Sequence, residues 1–237
     1  MKQKQNFLCL VVLFLLLMGA FIFYFRGAIG GYFVKHRTEL VLNSVSSHEE
    51  IQKNQRQSAS FDYEEVTALS FEDLLKQQMA KQNYPVIGVL ALPDVGICLP
   101  IFKGVDPSLL MAGAGTLKNK QMMGQGNYAL ASHHIFDALG YSGAHLLFSP
   151  LLKTQEGQKV YLTDLKQVFC YEITSMSVVP ETQGTVILDT PGKKEVTLVT
   201  CYDQAAHFRY VVKGNLVSVQ AYDQKTAFLF HQSFNQN

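Results

Sequence analysis

The chain has 237 residues, a formal net charge of +1 and a hydrophobic fraction of 48%. This length predicts one domain with appendages, and the apolar content is sufficient for a packed core. The near-neutral charge lacks the basic excess of nucleic-acid-binding proteins, so we expect no nucleic acid partner. The four cysteines form neither a CxxC pair nor a zinc-ligand spacing. We therefore predict no metal or cofactor, and the sequence does not indicate calcium.

The N-terminus carries an uncharged apolar run, from Phe7 to Phe25, that ends at Arg26. At about 1.5 Å per helical residue this run spans roughly 28 Å, close to the ~30 Å hydrocarbon core of a bilayer. A cleaved signal peptide is the alternative, but its apolar region is usually only ~7–15 residues long. We predict a short tail over residues 1–6 and a transmembrane anchor over 7–25. Basic residues on both sides leave its orientation open.

Two segments are predicted between the anchor and the core. A stretch rich in Ser, Gln, Glu and Lys predicts a linker or helical stalk over 26–60. Ser70 then precedes apolar residues spaced three or four apart, at Phe71, Leu74 and Met79. With Ser70 as N-cap, this spacing predicts one short amphipathic helix that ends near Asn83, within an N-terminal helical segment over 61–84.

From residue 85 onward, short apolar runs alternate with turn signals such as Pro191-Gly192 and Gly214-Asn215. This alternation of short apolar runs with turn residues predicts an antiparallel β-barrel or sandwich over 85–237. The runs are 86–92, 97–101, 128–132, 159–162, 167–175, 195–200, 209–213 and 216–222. Between two of them, residues 180–195 contain prolines and glycines, and we expect a mobile loop there that closes over a substrate.

Cys201 ends the strand-like run Val196 to Thr200 and is followed at once by a polar break. A cysteine at a strand end lies at a rim, where a nucleophile is held on a rigid element yet open to substrate. A buried structural thiol is the alternative reading. Cys98 and Cys170 lie inside strand-like runs and are interpreted as structural, with their pairing left open.

His133 and Arg209 are candidates for the same site. His133 and His134 follow a strand-like run, and because successive strand residues face opposite ways, at most one of them can face Cys201. Arg209 opens the run after Cys201 and would lie level with the thiol if the two strands are neighbours. A guanidinium there could stabilise a thiolate and an oxyanion. A satisfied polar histidine and a surface arginine are the alternatives.

Together these segments resemble the sortases, specifically class A. The stretch Thr197 to Cys201 is similar to the family's TLxTC strand, and Leu130-Ala131-Ser132-His133 to the segment with the catalytic histidine. Arg209 follows at the family's spacing. Similarity also extends to the family's segments at the start of the barrel, which are matched here by Ile87-Gly88, Leu99-Pro100-Ile101 and Gly113 to Lys118.

The resemblance implies an all-β fold: a sortase-type eight-stranded β-barrel with short helices. It implies catalytic roles for His133, Cys201 and Arg209. It also implies substrate contacts, which we place at Ala131, Ser132, Val199 and Thr200. The segment 178–188 is a further candidate for the substrate groove.

The implied reaction is transpeptidation. A Leu-Pro-x-Thr-Gly sorting signal on a surface protein is cleaved between Thr and Gly through a thioacyl intermediate on Cys201. The acyl group then passes to an amine of lipid II or peptidoglycan. The N-terminus would be cytoplasmic and the catalytic domain extracellular. Another membrane-tethered cysteine enzyme, either a peptidase or an L,D-transpeptidase, and a non-catalytic surface adhesin are the alternatives.

The proposed reaction depends on how many molecules carry a cysteine thiolate and a histidine imidazolium at the same time. With ordinary pKa values of ~8.5 for Cys and ~6.5 for His, few molecules at neutral pH carry both charges. We expect the pair to act largely from this minor form unless the site lowers the cysteine pKa strongly.

Overall fold

A computed structural model describes residues 2–45, 47–62, 83–136 and 145–230. Its strands close into a barrel in the order β1-β2-β3-β4-β7-β8-β6-β5, which confirms the predicted eight-stranded barrel. The expectation of a wholly antiparallel sheet is wrong, because β2 pairs with β3 and β4 pairs with β7 in parallel. The strands are β1 Val86–Leu92, β2 Ile97–Phe102, β3 Ala114–Thr116, β4 Asn127–Ala131, β5 Lys159–Thr163, β6 Gln167–Pro180, β7 Glu195–Cys201 and β8 Phe208–Ala221.

Strand β1 explains why several runs are apolar throughout instead of alternating. All seven of its residues are buried. Leu90 and Leu92 point into the main core with Tyr128 and Leu198. Val89 and Ala91 on the other face pack in a separate cluster that includes Phe230. A strand covered on both faces needs apolar residues at every position.

Two strand pairings assemble one end of the barrel. β4 and β7 run parallel, with Ala131 opposite Val199. β7 and β8 run antiparallel, with Cys201 opposite Arg209. The last residues of β4 and β7 and the first of β8 therefore meet, and we call this the thiol end. β6 and β8 pair from Pro180↔Phe208 to Gln167↔Ala221, so the 164–166 turn between β5 and β6 lies at the far end.

The described helices are α1 Lys2–Ser44, α2 His48–Gln55, α3 Pro107–Leu110 and α4 Gln224–Ala227. The stretch expected to be a linker or stalk, 26–60, is mostly helical and partly packed on the barrel. Val34, Val41 and Ile51 are buried. The predicted helical segment over 61–84 falls almost entirely outside the described residues. Over the described parts of the chain, no helix combines the length and apolarity that a bilayer crossing requires.

Candidate active site

Cys201 is the last residue of β7 and lies directly across from Arg209, the second residue of β8. The loop between them is closed by Asp203, whose carboxylate accepts the backbone N–H groups of Phe208 at 2.8 Å and His207 at 3.2 Å. The structure thus brings together two of the three predicted catalytic residues on neighbouring strands.

Arg209 is held on two sides. Its Nη1 donates to the Ala206 carbonyl. Its Nη2 lies 3.5 Å from Glu181 Oε2. The Glu181 backbone N–H in turn donates to the His207 carbonyl at 2.9 Å, which attaches this residue to the β7–β8 loop. Glu181 was not predicted as a site residue from the sequence, because nothing in a residue just after a strand indicates which loop it will contact.

Opposing effects set the protonation of the Cys201 thiol. Burial raises its pKa above the ordinary value. The Arg209 guanidinium opposes this shift, while the carboxylates of Asp203 and Glu181 add to it. The net direction is upward, so the thiol is neutral at pH 7 in this structure.

His133 lies just beyond β4 and is buried. Phe148 donates its backbone N–H to the His133 carbonyl at 3.0 Å. The Nε2 atom of His133 has no hydrogen-bond partner within the described residues. Burial lowers the pKa of His133 to about 4. A neutral imidazole with an unoccupied nitrogen is able to accept a proton.

His134 makes the histidine contact to the end of β7. Its Nδ1 lies 2.9 Å from the Cys201 carbonyl, and because a carbonyl only accepts, Nδ1 carries the proton. The ring stacks on Phe136 with centroids 4.2 Å apart. Burial lowers the pKa of His134, and the bond to Cys201 partly opposes that shift. This contact of His134 with a backbone carbonyl was not predicted from the sequence, where strand alternation bears only on which histidine side chain faces the thiol.

The predicted substrate residues divide into two groups. Ser132 Oγ donates to the Gly113 carbonyl at 2.7 Å, and Thr200 Oγ donates to the Ser132 carbonyl at 2.9 Å. Both residues are buried, so here their hydroxyls join β4, β7 and the segment before β3. Ala131 and Val199 instead form an apolar wall with Val179 and Val186.

The loop between β6 and β7 lies against this wall. It contains a 3-10 turn, Gly184–Ile187. Asn127 Nδ2 donates to the carbonyls of Val186 at 3.3 Å and Leu188 at 3.2 Å, and Asp189 accepts the Asn127 backbone N–H at 2.7 Å. Lys118 pairs with the same carboxylate. The loop is thereby attached to the start of β4, and its predicted mobility stays a prediction.

The remaining cysteines are separate from this site. Cys98 and Cys170 are free and buried, which answers the pairing question left open above, and Cys9 is exposed on α1. Cys98 donates its thiol proton to the Phe230 carbonyl at 3.1 Å. Among the described residues, no group of His, Cys, Asp or Glu side chains is arranged to hold a metal ion.

Fold and site together define a β-barrel protein with a cysteine–arginine pair at one end and two histidines beside it. A protein-family model described as the sortase domain matches residues 90–217. Sortase A of Streptococcus agalactiae serotype III (strain NEM316) is 41% identical over 98% of this chain and 94% of its own length. Sortase A of Listeria monocytogenes serovar 1/2a is 36% identical over 68% of this chain and 73% of its own.

A solved structure gives the same result. The crystal structure of Listeria monocytogenes sortase A has a TM-score of 0.57 and 34% identity, and the match covers 62% of this chain and 97% of that one. The chain belongs to the sortase family and is a sortase-type transpeptidase.

Proposed function

We propose that the chain is a class A sortase that cleaves Leu-Pro-x-Thr-Gly sorting signals between Thr and Gly and transfers the surface protein to a cell-wall amine. The observation that carries the proposal is the direct pairing of Cys201 with Arg209 at the thiol end, beside the segment that bears His133. The likeness to sortase A proteins of two genera supports the same reaction.

The three side chains take the following roles. Cys201 Sγ is not hydrogen-bonded to His133 Nε2 in this structure, so the two atoms approach each other on substrate binding, where the thiol passes its proton to that nitrogen and the sulfur attacks the carbonyl carbon of the substrate Thr. Arg209 stabilises the resulting oxyanion. Protonated His133 then gives its proton to the leaving Gly amine, which yields a thioester on Cys201. An incoming amine attacks that thioester, its proton passes to His133, and the thiolate leaves.

The pKa directions at the site refine this scheme. Burial raises the pKa of Cys201 and lowers that of His133, so both groups are neutral at pH 7. The thiolate–imidazolium form is then scarcer than ordinary pKa values imply. We propose that proton transfer from sulfur to imidazole accompanies substrate binding, since the charged pair is scarce without it. Release of Arg209 from Glu181 would favour that transfer, because the guanidinium then faces the thiolate alone.

We place the substrate's Leu-Pro residues against Ala131 and Val199, because both contribute to the apolar wall beside Cys201. Ser132 and Thr200 support this groove from behind, since their hydroxyls are hydrogen-bonded to backbone carbonyls. The segment 178–188 borders the wall and supplies its outer side.

The anchor over residues 7–25 is part of the proposal. The described large apolar side chains of this run are exposed on α1, including Phe7, Leu8, Leu10, Phe14 and Leu16. So large an apolar surface is unfavourable in water and suited to lipid. We propose a single crossing with a cytoplasmic N-terminus and an extracellular barrel, as the resemblance implies, with lipid II or peptidoglycan supplying the amine.

The test compares hydrolysis with transfer. The chain is incubated with a Leu-Pro-x-Thr-Gly peptide with and without an added amine, and both products are measured. A sortase forms the amide product, and Cys201→Ala forms neither. Hydrolysis that an amine never diverts would indicate a tethered peptidase instead. A non-catalytic adhesin would show no turnover in this assay, and its binding to surfaces would be undiminished in Cys201→Ala.

A further inference from the structure

Helix α1 contacts the barrel along one stripe. Its buried positions after residue 29 are Gly30, Val34, Thr38 and Val41. A spacing of three or four residues places them on one face of the helix. Thr38 Oγ donates to the Ala112 carbonyl at 2.9 Å, in a buried position. The second half of α1 is therefore part of the barrel's packing and differs from a loose tether.

The stripe begins beside the thiol end. A Cβ added at Gly31 would lie only 3.2 Å from Leu146 Cδ1, so the helix backbone closely approaches that residue. Two residues further on, Phe148 donates its backbone N–H to the His133 carbonyl. The start of the packed stripe is thus one short segment away from the proposed catalytic histidine.

The other end of the helical region reaches the far end of the barrel. His48, the first residue of α2, has its Nδ1 2.8 Å from the Asp164 carbonyl, in the turn between β5 and β6. Leu42, near the end of α1, packs on the outer cluster of Val89 and Phe230. Helix α1 therefore runs from the thiol end toward the far end.

This direction fixes which end faces the apolar run. Phe25 precedes Gly31 by six helical residues, which is about 9 Å along a continuous helix. We infer that α1 acts as a rigid strut that holds the thiol end of the barrel at the bilayer surface. Cys201 then faces acceptor amines displayed on membrane lipids, and the far end projects away from the membrane.

The inference rests on the proposed anchor and adds an orientation to it. A fixed attachment raises the effective concentration of a membrane-bound acceptor at the site, provided that the geometry allows the encounter. A flexible tether of similar length would let the barrel face any direction. The substrate class that this orientation selects is an amine near the headgroup layer.

Energy transfer measures the orientation directly. The full chain, with Cys9→Ser and Cys201→Ala, is placed in vesicles and labelled with a donor at Gln204→Cys or at Lys166→Cys, both exposed positions. These positions lie at opposite ends of β8 and β6, roughly 40 Å apart at about 3.3 Å per residue. An acceptor is placed on headgroups of the outer leaflet.

We expect strong transfer from position 204 and weak transfer from position 166. Equal transfer, or stronger transfer from 166, would overturn the inference. Failure of the chain to float with the vesicles would overturn the anchor and the inference together. This readout needs no turnover, so the outcome of the hydrolysis and transfer assay stays separate from it.

An insertion in the otherwise unaltered chain supplies a second measurement. A helical insertion of about fourteen residues after Gly27 raises the barrel by roughly 21 Å. Transfer to a soluble amine should be unchanged, whereas transfer to an amine on a lipid headgroup should fall at least about tenfold. A flexible Gly-Ser insertion of the same length is the matched control and should retain more transfer. Undiminished lipid-linked transfer with the helical insertion would contradict the inference.

Discussion

Cys201 and Arg209 are direct partners across β7 and β8, yet the Arg209 guanidinium also lies 3.5 Å from the Glu181 carboxylate. The cation beside the thiol is therefore shared with an anion from the neighbouring loop. That sharing makes Glu181 a residue that regulates how strongly Arg209 acts on Cys201.

Replacement of Glu181 by Gln tests this relationship. The Glu181 carboxylate contributes to the raised pKa of Cys201, so Glu181→Gln should lower that pKa. The rate of thiol alkylation as a function of pH should shift to lower pH. Glu172→Gln is the matched control, because Glu172 pairs with Lys159 and is absent from the groups that act on Cys201. A shift to higher pH would mean that Glu181 acts mainly by keeping Arg209 in place.

The burial of His133 predicts a pH-dependent stability. Its pKa is lowered from 6.5 to about 4, so between these values the unfolded chain binds more protons than the folded one. The free energy of unfolding should therefore fall as pH decreases from 6.5 to 4. His133→Gln should weaken this dependence, as measured by Tm at several pH values. Parallel pH profiles for both proteins would contradict a buried neutral His133.

His134 is predicted to be a positioning residue, because its Nδ1–H donates to the Cys201 carbonyl. His134→Ala should remove this bond, at a cost of about 1 kcal/mol in stability, and lower kcat with a smaller effect on KM. His134→Asn keeps a donor near the Nδ1 position and should restore part of kcat. Equal kcat values for the Ala and Asn variants would show that the hydrogen bond has no part in positioning the thiol.

Gly115 in β3 is predicted to be intolerant of a side chain. A Cβ there would lie 2.2 Å from the Gly104 carbonyl oxygen and 2.7 Å from Leu110 Cδ2. Gly115→Ala should therefore lower the free energy of unfolding by about 1–3 kcal/mol. Gly184→Ala is the control, because nothing lies within 4 Å of its added Cβ. Denaturant unfolding measures both, and an undestabilised Gly115→Ala would contradict the close approach.

The barrel could be predicted from the sequence because its strands are short apolar runs separated by turn residues. β7 reads as an uncharged run, Val196 to Val199, that is apolar except at Thr197, and the structure buries it on both faces. The TLxTC resemblance located Cys201. Arg209 was expected to lie level with the thiol on the condition that the two strands are neighbours, and the antiparallel pairing of β7 with β8 meets that condition.

Other features depend on long-range packing that no local pattern encodes. Side chains alternate between the two faces of a strand, but β4 ends at Ala131. The direction of His134, three residues later, therefore could not be predicted, nor could its contact with the Cys201 carbonyl. The polar stretch from about residue 43 to residue 60 favoured a linker over 26–60, although Val34 and Val41 are buried on the barrel and are spaced like one face of a helix. Glu181 meets Arg209 only because two loops fold together.

The most direct test of the account is the covalent intermediate. The chain is mixed with a Leu-Pro-x-Thr-Gly peptide without an added amine, quenched in acid and analysed by peptide mass spectrometry. We expect a thioester that joins the peptide's Thr carbonyl to Cys201 and that is absent in Cys201→Ala. Cleavage of the peptide by the Cys201→Ala variant, or an acyl adduct on another residue, would contradict it.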